Sequence, residues 1–236
     1  MLKVVLPFCL FSVLCLIFVV LFLCEKNKNS SSHKSVVLKT IASIMFVFGG
    51  IYALTFTGAT ANMLIVFGLV LAMIGDIILD LRCTKEETKK FYFHVGASSF
   101  SISALLYFVS TVLLWNRLEN FLLIALGSVV LAVAFTIIIQ LLEKPMKFDF
   151  TGNKVMISIY SFCISLATFL SLAIGVFING FLVFAVGILL VLLSDLVLSM
   201  MYFGGKENNK VLCSVNHLVY YAGELLVMAY LFFQLF

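Results

Sequence analysis

Residues 61–81 read ANMLIVFGLVLAMIGDIILDL, an apolar run with no charge before Asp76 and Asp80. A helix crossing the hydrocarbon layer of a bilayer needs about 20 mainly apolar residues, and this run has that length. A carboxylate inside such a run costs roughly 2.5–3.5 kcal/mol even on the mildest insertion scale. The stretch therefore reads as a membrane span, and its two acids need a reason to be there.

The rest of the chain repeats the pattern. Of its 236 residues, 64% are hydrophobic and 11% charged, and the mean hydropathy is +1.22. An ordinary soluble domain is about half apolar and about a quarter charged, and a globule of this size could not hide the excess. A soluble globule, a disordered chain and a nucleic-acid-binding domain are excluded. The length rule divides the chain into eight spans, near 4–23, 36–57, 61–81, 91–114, 120–142, 155–178, 180–203 and 211–235. The fold class expected is all-α, a polytopic bundle of eight transmembrane helices forming one integral membrane domain over 1–236. Glu143-Lys144-Pro145-Met146-Lys147 secures one boundary, being polar and carrying a helix breaker. Asn179-Gly180 marks another, without which 155–203 would be too long for one crossing. The first run is longer than a usual signal-peptide core and lacks an A-x-A-like cleavage site, so it reads as a retained span.

The charges sort by side. Of the 15 basic residues, all but Lys3 and Arg117 fall in or beside the loops after the first, third, fifth and seventh spans. By the positive-inside rule those loops face the cytoplasm, which places both termini on the opposite side. The net charge of +4 is loop charge, not a nucleic-acid groove. The six cysteines form no CxxC and no Cys/His cluster, so neither a zinc site nor a redox motif is expected.

Four acids lie inside spans: Asp76 and Asp80 in the third, Asp195 in the seventh and Glu224 in the eighth. His217 joins them nearer a span end. At about 1.5 Å of rise per residue, Asp76, Asp195 and His217 share a layer about 9–13 Å from the lysine-rich edge. Glu224 lies about 20 Å in by the same rise. Asp80 is near enough the edge to be interfacial or to pair with Arg82. Gly75-Asp76-Ile77-Ile78-Leu79-Asp80 and Ser194-Asp195-Leu196-Val197-Leu198-Ser199 are alike and stand almost half the chain apart. That fits a duplicated four-helix unit arranged as parallel repeats. Two carboxyl groups sharing a site out of water keep one proton between them. One can then donate it while the other serves as base or stabilises a cation, a division suited to oxocarbenium chemistry.

With the acids placed, the chain resembles the YhhN-like family of eight-span membrane proteins, which includes the lysoplasmalogenases. The likeness rests on Gly75-Asp76-Ile77-Ile78-Leu79, on Ser194-Asp195-Leu196 and on Tyr220-Tyr221-Ala222-Gly223-Glu224-Leu225-Leu226. Gly96, Phe100 and Tyr107 match the fourth span, and Lys39 stands where the family often has a lysine. Two positions depart from the pattern. Ser103-Ala104 replaces a common Ala-His, and Glu224 replaces the usual Gln, so Glu224 or His217 is a candidate substitute for the missing histidine. The resemblance implies hydrolysis of the vinyl-ether bond of lysoplasmalogens to a fatty aldehyde and a glycerophospho-ethanolamine or -choline. It implies Asp76 and Asp195 as the catalytic pair. Tyr107, Tyr221 and Glu224 would orient water or the glycerol hydroxyl, with His217 and Asp80 beside them, and Lys39 would meet the lipid phosphate. No metal or organic cofactor is required.

Two other classes use the same acids: a small proton-coupled carrier, and a catalytically silent lipid-binding protein. The enzyme needs both aspartates on one lipid-accessible cavity. The carrier needs access from both sides, and the silent protein needs no cavity. The partners expected are a lysophospholipid substrate and membrane lipids. The location expected is the cell membrane of a bacterium or the endoplasmic reticulum membrane of a eukaryote.

Overall fold

Continuous apolar sequence between short polar connections leaves the backbone one way to satisfy its hydrogen bonds in lipid, namely helices. The computed structural model describes residues 2–29, 32–81 and 88–235, and among them it holds eight α-helices. They are α1 (Leu2–Lys28), α2 (His33–Thr57), α3 (Thr60–Leu81), α4 (Lys89–Trp115), α5 (Phe121–Leu141), α6 (Lys154–Phe177), α7 (Asn179–Tyr202) and α8 (Lys210–Phe233). All eight are long and apolar enough to cross a membrane, so the protein is a multi-pass membrane protein.

Two helix limits differ from the apolar runs in ways that matter. The break before α7 falls at Ile178, whose extended backbone (φ −128°, ψ 93°) separates α6 from α7. Asn179 and Gly180 themselves open α7. At the other end of the chain, α1 runs on past its apolar stretch to Lys28. That extra turn carries Lys26 out of the loop and into the bundle, where it is buried.

The packing follows the same plan in each half. Successive helices pair as α1 with α2, α3 with α4, α5 with α6 and α7 with α8. The pairs join through α2 with α3 and α6 with α7, and the halves meet through α2 with α8 and α4 with α6. Laying α1–α4 over α5–α8 maps each of these neighbours onto another. One asymmetry stands out: α1 also packs on α8, whereas α5 reaches the bundle chiefly through α6. Small residues allow the closest approach. A Cβ at Gly187 of α7 would lie 2.9 Å from the Gly223 carbonyl oxygen of α8, so only glycine fits there.

Large apolar side chains fill the half of the bundle away from the lysine-rich loops, with Phe46, Ile65, Leu69, Phe184 and Ile188 all fully buried. The outer faces are apolar too. Leu122, Leu123 and Val130 of α5 are 67–72% exposed, which suits lipid and would be a liability in water.

Candidate active site

The site starts from the spacing of α3. Asp76 and Asp80 are one turn apart and therefore lie on one helix face, which turns toward the hairpin of α1 and α2. Lys39 of α2 sets its Nζ 2.7 Å from Asp76 Oδ1, and Lys26 of α1 sets its Nζ 2.7 Å from Asp80 Oδ1. All four side chains are nearly removed from solvent. A buried charge is tolerated when paired, and here each acid has its own lysine.

Asp76 is held further. The Ser43 hydroxyl donates to Asp76 Oδ2 at 3.1 Å, and the Tyr221 hydroxyl donates to the same oxygen at 3.2 Å. Ser43 and Tyr221 also meet each other at 2.9 Å. Three helices, α2, α3 and α8, thus converge on one carboxylate. Asp195 of α7 is placed differently. The Tyr160 hydroxyl of α6 donates to its Oδ2, no lysine, arginine or histidine among the described residues forms an ion pair with it, and it is only partly buried.

Asp76, Asp80, Asp195, Lys39 and His217 all line one cavity of about 390 Å³, and Lys28 and Lys210 stand at its loop-side mouth. Three buried atoms on its wall have no hydrogen-bond partner among the described residues: Asp80 Oδ2, Asn216 Oδ1 and the Tyr220 hydroxyl. An unpartnered buried polar atom costs about 1–3 kcal/mol, so these atoms leave the wall able to meet hydrogen-bonding groups that the described residues do not supply. His217 presents its ring edge-on to Phe22 at 4.8 Å, with Nδ1 2.7 Å from the Cys213 carbonyl oxygen. Among the described residues no three His, Cys, Asp or Glu side chains group as a metal site requires.

Several positions differ from what the sequence suggested. Lys39 lies not at the edge of its span but buried on the cavity wall, paired with Asp76. Asp80 is buried on Lys26 rather than interfacial, and Arg82, its expected partner, lies outside the described residues. Tyr221 acts on Asp76 from behind and does not line the cavity. Tyr107 and Glu224 are also off its wall: the Tyr107 hydroxyl donates to Glu224 Oε2 at 3.2 Å, and both are buried in the core. Ala104, three residues before Tyr107, is equally buried. Glu224 is thus tied to α4, the helix that carries Ala104, through the Tyr107 hydroxyl.

Lys26, Ser43 and Tyr160 were not foreseen. Ser43 had a signal, lying four residues after Lys39 on the same face of α2. Lys26 looked like an ordinary charge after a span, and Tyr160 like one aromatic residue among many.

No curated protein and no solved structure matches the chain. The family model that does match runs from residue 51, within α2, to residue 231, near the end of α8. It takes in both aspartates, their tyrosine partners and most of the cavity wall, and so the chain belongs to the YhhN family.

Proposed function

We propose that the protein hydrolyses the vinyl-ether bond of lysoplasmalogens in the leaflet facing its lysine-rich loops, with those loops cytoplasmic and both termini on the other side. The observation that carries this reading is the meeting of Asp76 and Asp195 on one cavity, one acid paired with a lysine and the other with a neutral tyrosine. An acid beside a lysine in a water-poor site stays ionised, and an acid with no cation there keeps its proton. Asp195 is accordingly the proton donor and Asp76 the fixed negative charge.

The steps balance as a hydrolysis. Asp195 transfers its proton to the β-carbon of the vinyl ether, leaving an oxocarbenium ion that the Asp76 carboxylate stabilises. Water adds to the α-carbon, and its released proton returns to the Asp195 carboxylate. The hemiacetal then collapses: the hydroxyl proton moves to the ether oxygen, the carbon–oxygen bond breaks, and aldehyde and glycerophospho-alcohol leave. With Lys39 occupied, the phosphate falls to Lys28 and Lys210, which form no ion pair among the described residues and flank the mouth. The unpartnered Asp80 Oδ2 and Asn216 Oδ1 suit the free glycerol hydroxyl.

A silent protein has no need of this cavity. A two-sided carrier is disfavoured by the packed layer of Phe46, Leu69 and Phe184 beyond it. The test is aldehyde release from a 1-alkenyl lysophosphatidylethanolamine by purified protein in lipid nanodiscs, beside the Asp76→Asn and Asp195→Asn variants. Release that survives both substitutions, or none from folded wild type, overturns the reading.

A further inference from the structure

The structure has a second cavity, and it is of the opposite kind. It encloses about 80 Å³ between α4, α5, α6 and α7 and is walled mainly by Phe93, Phe135, Phe150, Ile157, Ile164 and Leu192. Asp195, Leu198 and Tyr202 line both this space and the larger polar cavity. The Asp195–Tyr160 pair is therefore the seam between a polar chamber and an apolar one.

Apart from Asp195 and Tyr202, which it shares with the polar cavity, the polar side chains of the apolar chamber already have partners. Ser161 donates to the Ile157 carbonyl at 2.6 Å, Ser199 donates to the Leu196 carbonyl at 2.8 Å, and Tyr160 donates to Asp195. A polar ligand gains nothing there, whereas alkyl carbon gains about 25 cal/mol for each Å² it removes from water. The polar chamber holds three buried atoms with no partner among the described residues, so the two chambers suit opposite ends of an amphiphile.

Shape gives the direction of the chain. On the loop side the apolar chamber is closed by edge-on aromatic rings, Phe93 against Phe203 at 5.5 Å and Phe150 against Phe203 at 5.1 Å. The backbone amide of Asp149 ties this floor to the end of α7 through the Phe203 carbonyl at 2.9 Å. On the lipid side stands α5, in which only Ser128 and Ala132 are buried and which leans on the bundle chiefly through α6. The space holds the first few carbons of a chain, and the remainder has to leave past α5 into the bilayer.

Resting on the reading of the polar cavity as a lysophospholipid site, we propose that this apolar chamber receives the hydrocarbon chain of a single-chain lipid, which enters sideways from the bilayer beside α5. The chain's first carbons then lie against Asp195 and Tyr160, while phosphate and glycerol occupy the polar chamber. That puts the β-carbon of an alkenyl chain beside the acid that protonates it.

The test reads position, not turnover. A 1-O-alkyl lysophosphatidylethanolamine, inert to hydrolysis and carrying a diazirine close to the ether end of its chain, is photolysed with the full-length protein in nanodiscs. The adducts are mapped by mass spectrometry. The expected adducts fall on α5, α6 and α7 around Phe135, Ile139 and Ile164, and drop at least about fivefold in Ile164→Trp, which fills the chamber. Leu192→Phe serves the same end if the tryptophan variant does not fold. Adducts on α1, α2 or α8, or a pattern equal to that of a diacyl phosphatidylcholine with the same diazirine, overturn the proposal. Aldehyde release with adducts elsewhere sinks the chain site alone, and adducts in the chamber without aldehyde release sink the hydrolase reading alone.

Discussion

Asp76 and Asp195 occupy matching places in the two halves of the chain, on α3 and α7, each one residue after a small side chain. Their surroundings have diverged. In the first half the neighbouring helix α2 supplies Lys39 and Ser43, and α8 adds Tyr221. In the second half α6 supplies Tyr160 alone. On the mechanism proposed above, the same carboxyl group in the same architectural position would be a fixed charge in one half and a proton carrier in the other. The two halves thus differ in the partners their neighbouring helices bring to the acids, and not in the acids themselves.

The largest effect should come from removing the acids, and it separates their roles. Asp195→Asn removes the proposed proton donor but leaves an amide oxygen for Tyr160. Aldehyde release should fall about 10²–10⁴-fold, with thermal stability in detergent close to wild type. Asp76→Asn should lose a comparable rate and also strand Lys39 as a buried unpaired cation, costing about 3–5 kcal/mol of stability. Equal stability losses in the two variants would break the comparison.

Lys39→Met probes the same contrast from the other partner. It leaves the Asp76 charge buried without its cation, for the same cost of about 3–5 kcal/mol. Adding Asp76→Asn removes that stranded charge, so the double variant should be more stable than Lys39→Met alone. The coupling read from this cycle should exceed about 1 kcal/mol. No recovery would mean that Lys39 matters for packing and not as the counter-ion of Asp76. On the other side Tyr160→Phe deletes one neutral hydrogen bond, worth about 1 kcal/mol. Its effect on rate should stay within about tenfold, since 1.4 kcal/mol is a factor of ten. A loss as large as that of Asp195→Asn would make Tyr160 the proton donor instead.

What the sequence revealed of this site follows from how rare charge is in the spans. The helices were legible because hydrocarbon thickness sets their length and polar loops set their ends. Those of α3, α6 and α7 begin and end within a residue of their apolar runs. The acids were legible because so few charges stand inside those runs. Their partners were not. Lys26 and Lys39 sit among the basic residues of a loop and its flanks, so the positive-inside pattern accounted for them without a site. Only the register of α1 and α2 against α3 turns them inward. Tyr160 depends in the same way on how α6 lies against α7, which no local pattern reports.

Glu224 should give the smallest effect, and it bounds the site from behind. Among the described residues it is the one buried acid whose partner, Tyr107, is neutral and whose position lies off both cavities. If catalysis is confined to the two cavities, Glu224→Gln keeps an oxygen for the Tyr107 hydroxyl and changes nothing that touches the lipid. Stability should move by about 1 kcal/mol or less, the worth of one exchanged hydrogen bond, and aldehyde release by no more than about twofold. The family's usual residue at this position is glutamine, so the protein is being asked only to accept a common neighbour. A rate loss of tenfold or more with stability unchanged would extend the acid system deeper into the core than Asp76. The comparison of two acids would then have to become a comparison of three.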